Sequence, residues 1–402
     1  MAEVVGDSEA GRVSRTARNL GLGSLLSSLL FGSRFVTIWL AGGLLLLACQ
    51  IFAPATISST SWSAMLPLGS VVAIVALGQM LVIMVGGIDL SIGASISLLA
   101  NILVGVSHGD NDRLAYAILV VLFWAVVIGL VNGILVAIVE LNPIIVTLAT
   151  GLVLLGITAE YRLGTAYSPS VPDALADVVF EKTFGISKAF WFVLFVAIVI
   201  SLVLRSTAVG RRFQVVGANR AAAWMAGIHV RIYVVAAYVA AAIAAGTAGI
   251  ILAGIVVNPG VNPGADYLLG PVAAVILAGA ALTGGLASPM STWAAAFFVQ
   301  ILSQMLKVLG ISNAAQFVVF GLAIILGMLI SGDRISQVIG WLLLRPGVQR
   351  LIEEGEMATV AADAGSSEVG RAVEPNPGQR GGEAVEGAET GGEGSPGPEG
   401  ST

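Results

Sequence analysis

Residues Val71–Leu103 read VVAIVALGQMLVIMVGGIDLSIGASISLLANIL, and the only charged side chain in the stretch is Asp89. A helix crossing about 30 Å of hydrocarbon needs roughly 20 residues at about 1.5 Å each. The run before Gly86–Gly87 meets that length, and the run after Ser91 comes close to it. An acid exposed to lipid is costly, so Asp89 must face the interior of a bundle, water or the interface. Three roles are open to it. Asp89 or Ser91 caps a new helix after the double glycine, Asp89 lines or supports a solute path, or it relays a proton. The relay lacks partners, since the surrounding apolar segments offer few other titratable groups. Gln79 is open between an interhelical hydrogen bond and a contact with the path.

Outward from this stretch the same material continues. Windows long and apolar enough to span, give or take a turn, are 36–53, 64–86, 91–107, 115–138, 144–159, 190–204, 232–256, 268–286, 291–308 and 315–330. The fold class is therefore all-α, a polytopic transmembrane bundle of about ten spans. Over the 402 residues, 57% are apolar and 11% charged, against about 25% charged in a soluble domain. That excludes a soluble enzyme, a secreted disulfide scaffold and a nucleic-acid binder. Cys49 is the sole cysteine and His108 and His229 the only histidines, so a Cys-rich metal site or a histidine cluster is not expected. No signal-peptide cleavage site precedes the first span, which reads as a retained helix.

The net charge of -5 is the sum of two unlike parts. Residues 353–402 hold eleven acidic and two basic residues, leaving 17 basic and 13 acidic in the first 352, or +4. That last segment is rich in Gly, Pro and Glu and has no aromatic residue, so it reads as a disordered acidic tail. The expected organisation is a cytoplasmic N-terminal segment 1–35, a transmembrane domain 36–332, a cytoplasmic flank 333–352 and the tail 353–402. Arginines cluster before the first span (12, 15, 18, 34), in the loop 205–231, and after the last (334, 345, 350). Alternation across ten spans puts all three clusters on one side, and basic short loops mark that side as cytoplasmic. Both termini are then cytoplasmic. The longest loop on the other side, 162–188, contains a weakly amphipathic portion that suits a small surface helix. Asn132–Gly133 and Asn142–Pro143 are read as flanking the cytoplasmic turn between spans four and five, with Asn142 as cap and Pro143 in the first helical turn.

The loop 205–231, RSTAVGRRFQVVGANRAAAWMAGIHVR, carries a short helix candidate, Ala221–Met225, bounded by Gly217 and Gly227. It reads either as a basic lid at the lipid surface or as a rigid knob for a groove in a partner protein, of the kind a motor-driven transporter needs. No G-x-x-x-x-G-K-[ST] motif occurs, so if ATP drives transport, another chain hydrolyses it.

With these segments in order, the chain resembles the membrane-spanning permease subunit of ribose-type sugar importers of the ATP-binding cassette (ABC) class, from about Ile38 to Gly332. The resemblance is carried by Gly78–Gln79 with Gly86–Gly93, by Gly133 and Val146–Thr150, by Gly217-x-Asn219-x-x-Ala222-Ala223-x-x-x-Gly227-Ile228, and by Gly279 with Leu282–Gly285. Departures are Glu140, where relatives often have a nearby lysine, Asn142–Pro143–Ile144, and the turn LTGGLASP without a basic residue after its glycines. The resemblance implies a multi-pass subunit of the bacterial inner membrane, working as a homodimer or pseudo-homodimer. Its partners would be an ABC ATPase subunit and an extracytoplasmic sugar-binding protein, with no cofactor and no catalytic residue of its own. It further implies that Gly217, Asn219, Ala222, Ala223, Gly227 and Ile228 couple to the ATPase. Gln79, Gly86, Gly87, Asp89, Ser91 and Gly93 would line the path or support its gate. The nearest rival is a permease of the same superfamily for branched-chain amino acids, nucleosides or another small solute. A secondary transporter should show an inverted repeat and an ion site, and neither is evident.

Overall fold

The computed structural model describes residues 37–164 and 171–331. The expected N-terminal segment, C-terminal flank and acidic tail, and the placement of both termini, lie outside the described residues. The helices are α1 (Thr37–Phe52), α2 (Ser59–Met84), α3 (Ile92–Ser107), α4 (Leu114–Ala137), α5 (Pro143–Gly164), α6 (Asp173–Phe180), α7 (Lys188–Ser206), α8 (Ala208–Ala218), α9 (Arg220–Met225), α10 (Val230–Val256), α11 (Leu269–Leu277), α12 (Pro289–Val308) and α13 (Asn313–Ser331). A hairpin of two-residue strands, β1 (Lys182–Thr183) and β2 (Ile186–Ser187), precedes α7. Each of the ten apolar windows contains one helix, and α6 is the small helix expected in the long loop.

One window needs correction. The stretch 268–286 is not a continuous span, because α11 stops at Leu277. Gly279 takes φ +90° there, its N–H bonds the Ile276 carbonyl, and the Ala280 N–H bonds that of Val275. This is the paired 6→1 and 5→2 closure of a Schellman motif, which glycine makes inexpensive. The chain then runs without helix to Ser288, which caps α12 through Ser291 N–H.

α2 and α10 form the centre. Of the most apolar window of α2, 89% is buried, against 22% in α7, so α2 is enclosed by protein while α7 turns most of its surface outward. α10 supplies close contacts from Ala237, Ala241, Ala242, Ala245 and Ala248, all essentially inaccessible. Against it α4 presents Gly129, where a Cβ would stand 2.5 Å from the Val239 Cα. Apolar burial cannot drive helices together in lipid, so association rests on this kind of backbone approach. Large apolar residues on the outer helices, such as Leu152 and Phe195, are exposed, as a lipid-facing surface requires.

Candidate functional site

The site begins where α2 ends. Gly86 adopts φ +74°, its N–H bonds Ile83 O at 2.9 Å, and Gly87 N–H bonds Val82 O at 3.0 Å. A second Schellman closure thus satisfies two of the four carbonyls that a helix leaves unpaired at its C-terminus. The other two are met from far along the chain. Met84 O accepts from Gly285 N–H at 2.9 Å, and Val85 O accepts from Arg220 Nη2 at 2.6 Å. The end of α2 is therefore closed by the late glycine turn and by the first residue of α9.

Gly217 of α8 completes this junction. A Cβ there would strike the Met84 carbonyl oxygen and lie 3.0 Å from Gly285 N. Gly284, at φ +94°, approaches Gly217 O and Met84 O from the other side. Three backbone segments meet at van der Waals distance with no side chain between them.

Between α2 and α3 the chain runs without helix over residues 87–91 and is held by buried polar groups. Asp89 Oδ1 accepts from Ser91 N–H at 2.9 Å and from Ser91 Oγ at 2.6 Å. Ser91 Oγ in turn accepts from Asn132 Nδ2 at 2.9 Å. The Gln79 amide, oriented to suit its neighbours, accepts from Asp89 N–H at 3.2 Å and donates to Asp89 O at 3.3 Å. All four residues are at most 2% exposed. Ser91 stands at the N-cap of α3 but its side chain makes no cap bond there; Asp89 instead accepts the Ser91 N–H, just ahead of the helix. Gln79 makes no bond to another helix; its amide clamps the backbone of Asp89 in the break. Asn132 does not flank a turn: it is buried inside α4 and reaches the break through Ser91.

Of the sequence-derived path residues, Gln79, Gly86, Gly87, Asp89 and Ser91 come together here. Gly93 does not join them, because it packs against the backbone of Gly264. The loop before α11 is fastened at that point: Ser97 Oγ accepts from Gly264 N–H at 2.9 Å, and Asn101 Nδ2 donates to Gly260 O at 3.1 Å.

Of the six residues expected to couple to an ATPase, Gly217 sits in the junction itself and the other five form a capped turn around α9 beside it. Asn219 caps α9 by accepting Ala222 N–H at 3.0 Å, and Ala223 is its wholly buried anchor. Gly227, at φ +74°, and Ile228 close its other end onto Trp224 O and Ala223 O. Trp224 and Met225 point outward, each 74% exposed. Trp224 borders an open groove of about 1110 Å³ between the α4–α5 turn and α9–α10, crossed by an Arg231–Glu140 ion pair at 3.0 Å. In that turn Asn142 Oδ1 accepts from Ile144 N–H, as its expected capping role requires. Arg220 was legible only as one of several loop arginines; its bond to Val85 O has no signature in the sequence.

Comparison with known proteins gives the arrangement its context. Residues 61–329 match the family described as branched-chain amino acid transport system / permease component. A probable ABC transporter permease protein of Sinorhizobium fredii is 30% identical over 294 residues, covering 73% of this chain and 87% of the relative. The ribose import permease protein of Haemophilus influenzae is 30% identical over 264 residues, 65% of this chain and 81% of its own. The autoinducer 2 import system permease protein of Salmonella paratyphi B is 29% identical over 279 residues, 67% and 83%. No solved structure matches the chain.

Proposed function

The chain belongs to the branched-chain amino acid transport system / permease component family, a multi-pass protein of the inner membrane, and from that premise we propose that it forms the translocation path of an ABC importer for a monosaccharide of the ribose type. In this reading an extracytoplasmic binding protein delivers the sugar, two copies of the permease or a close pair enclose the path, and a separate subunit hydrolyses ATP. The chain itself catalyses no reaction.

The observation that carries the mechanism is the closure of α2 by Arg220 and Gly285. The exposed Trp224–Met225 face of α9 docks into the ATPase, and the capped, six-residue helix moves as a body with it. Because Arg220 opens that helix and also holds Val85 O, displacement of α9 pulls on the end of α2. Gly217 and Gly284 leave no slack at the contact. The pull then reaches the non-helical residues 87–91, whose position Gln79 and Asn132 fix. Asp89 and Ser91 act as gate support within this break, holding its shape in each state. Ligand-driven shifts of this kind need a packed element with two discrete arrangements, and a broken helix covered by protein supplies one.

The sugar assignment draws on the ribose import relatives, and the family description keeps a branched-chain amino acid as the second reading. Uptake in cells carrying or lacking the gene, with labelled D-ribose, other pentoses and hexoses, and L-leucine, separates the two. Gene-dependent uptake of a sugar supports the proposal, and gene-dependent uptake of leucine alone refutes it.

A further inference from the structure

A cavity of about 210 Å³ lies between α2, α11, α12 and α13, well away from the junction. It touches α2 at Leu68 and Val72, roughly 20 Å along the helix from Met84 at about 1.5 Å per residue. Its far wall is the C-terminal half of α12. α12 leaves the junction side after the glycine turn, so the cavity sits toward the end of the bundle opposite the arginine-rich loop, the extracytoplasmic end under the positive-inside rule.

α12 presents Gln300, Ser303 and Lys307 to this cavity, and the intervals of three and four residues place them on one helical face. A polar stripe on a helix of spanning length is costly unless it faces protein or water. Two of the polar groups already form a prepared pair, with Ser303 Oγ donating to Gln316 Oε1 of α13 at 2.8 Å. Gln300 differs. It is 9% exposed and lines the cavity, yet its amide makes no hydrogen bond among the described residues. Its amide atoms are not enclosed by protein; they open into the cavity, where water or a bound solute meets them. Beside it α2 carries Gly69, where a Cβ would stand 2.6 Å from the Phe297 ring of α12 and in ordinary contact, at 3.4 Å, with Gln300 Cγ.

We propose that this cavity is a binding subsite for a polyhydroxylated, uncharged solute, with Gln300 as its main hydrogen-bonding residue. An amide both donates and accepts, which matches adjacent hydroxyls that do the same. Phe317 and Tyr267 add apolar ring surface, the combination of flat apolar walls and a few placed polar groups typical of small-molecule sites. The two charged residues, Asp266 and Lys307, are exposed at the rim, so the buried part selects for hydroxyls. The subsite rests on the sugar-importer reading and deepens it. It also lies against the helix whose far end is tied to α9, so an occupied cavity and the coupling unit act on one element.

The test uses right-side-out vesicles holding the full chain with its partner subunits and a Leu68→Cys substitution in the cavity wall. The native Cys49 is buried, so a membrane-impermeant maleimide reports the new thiol. The expected result is that D-ribose, or whichever sugar the wild type is found to transport, slows labelling. Adding Gln300→Leu leaves the unprotected rate unchanged and raises the sugar concentration needed for protection by about tenfold, as when a site built to hydrogen-bond a hydroxyl loses its partner. Protection unaffected by Gln300→Leu, or no protection by a sugar that wild-type vesicles transport, overturns the subsite while leaving the importer reading intact. Protection by L-leucine with no transport of any sugar overturns both.

Discussion

Replacing Gly217 by alanine tests the junction at its tightest point. The added Cβ would collide with the Met84 carbonyl oxygen and press on Gly285 N at 3.0 Å. Both atoms belong to backbone, so neither can swing aside as a side-chain end would. The 2.9 Å bond from Gly285 N–H to Met84 O must lengthen or break. Leaving a buried donor and acceptor unmet costs about 1–3 kcal/mol. Overpacking of a close contact adds about 1–3 kcal/mol. The sum, about 2–6 kcal/mol, is large beside typical folding stabilities. Gly227→Ala is the control: it also adds one methyl group, but in space with no atom within 4 Å. Its cost is about 1–2 kcal/mol for a non-glycine residue at positive φ and is confined to α9. Thermal melting in mild detergent should therefore rank wild type above Gly227→Ala and Gly227→Ala well above Gly217→Ala. In vesicles with the partner subunits, Gly217→Ala should hydrolyse ATP with little solute uptake. A Gly217→Ala protein that melts with the wild type and transports at the wild-type rate would refute the idea that these three segments form one mechanical joint.

Other substitutions probe the break, the groove and the exposed face of α9 separately. Asp89→Ala removes an acceptor of two hydrogen bonds and leaves the buried Ser91 donors unmet, at about 1–3 kcal/mol each, whereas Asp89→Asn retains an oxygen for Ser91. Melting should show the alanine variant clearly less stable than the asparagine one. Glu140→Gln breaks an ion pair whose partners are 70% and 64% exposed, so melting should shift by less than about 1 kcal/mol at low salt and less still at high salt. Trp224→Ser, at a 74% exposed position, should leave melting within about 0.5 kcal/mol while reducing recovery of the ATPase on co-purification. Removal of residues 356–402 should leave membrane insertion and uptake unchanged, measured by membrane fractionation and labelled-solute transport.

The spans were legible because lipid imposes a length and a polarity that few sequences meet by accident. The same rule misread 268–286, where apolar residues continue after the helix has stopped. Helix termination at Gly279 is set by one positive φ, and in a chain with 50 glycines no single glycine announces it. Asn132 was placed beside a turn because an amide is common there; its actual place, buried against Ser91, depends on how α3 and α4 pack. The motif GGIDLSIG marked the break, but the hold of Gln79 on the backbone of Asp89 needs the fold to be seen. Arg220 shows the limit most clearly. Counting arginines sets topology, yet it cannot tell a charge that marks the membrane face from one that reaches inward to a helix end. Gln300 was hidden for a related reason, since the mean hydropathy of an apolar window conceals which face carries its amide.

The central claim is that this permease is driven through α9 by a separate motor. Isolation of the full chain from its native membrane in mild detergent, with mass spectrometry of the proteins that accompany it and uptake measured with and without ATP, tests that claim most directly. Recovery of an ATPase subunit and an extracytoplasmic binding protein is expected, with uptake that requires ATP. Recovery of the chain alone, still transporting in vesicles without ATP, would contradict it.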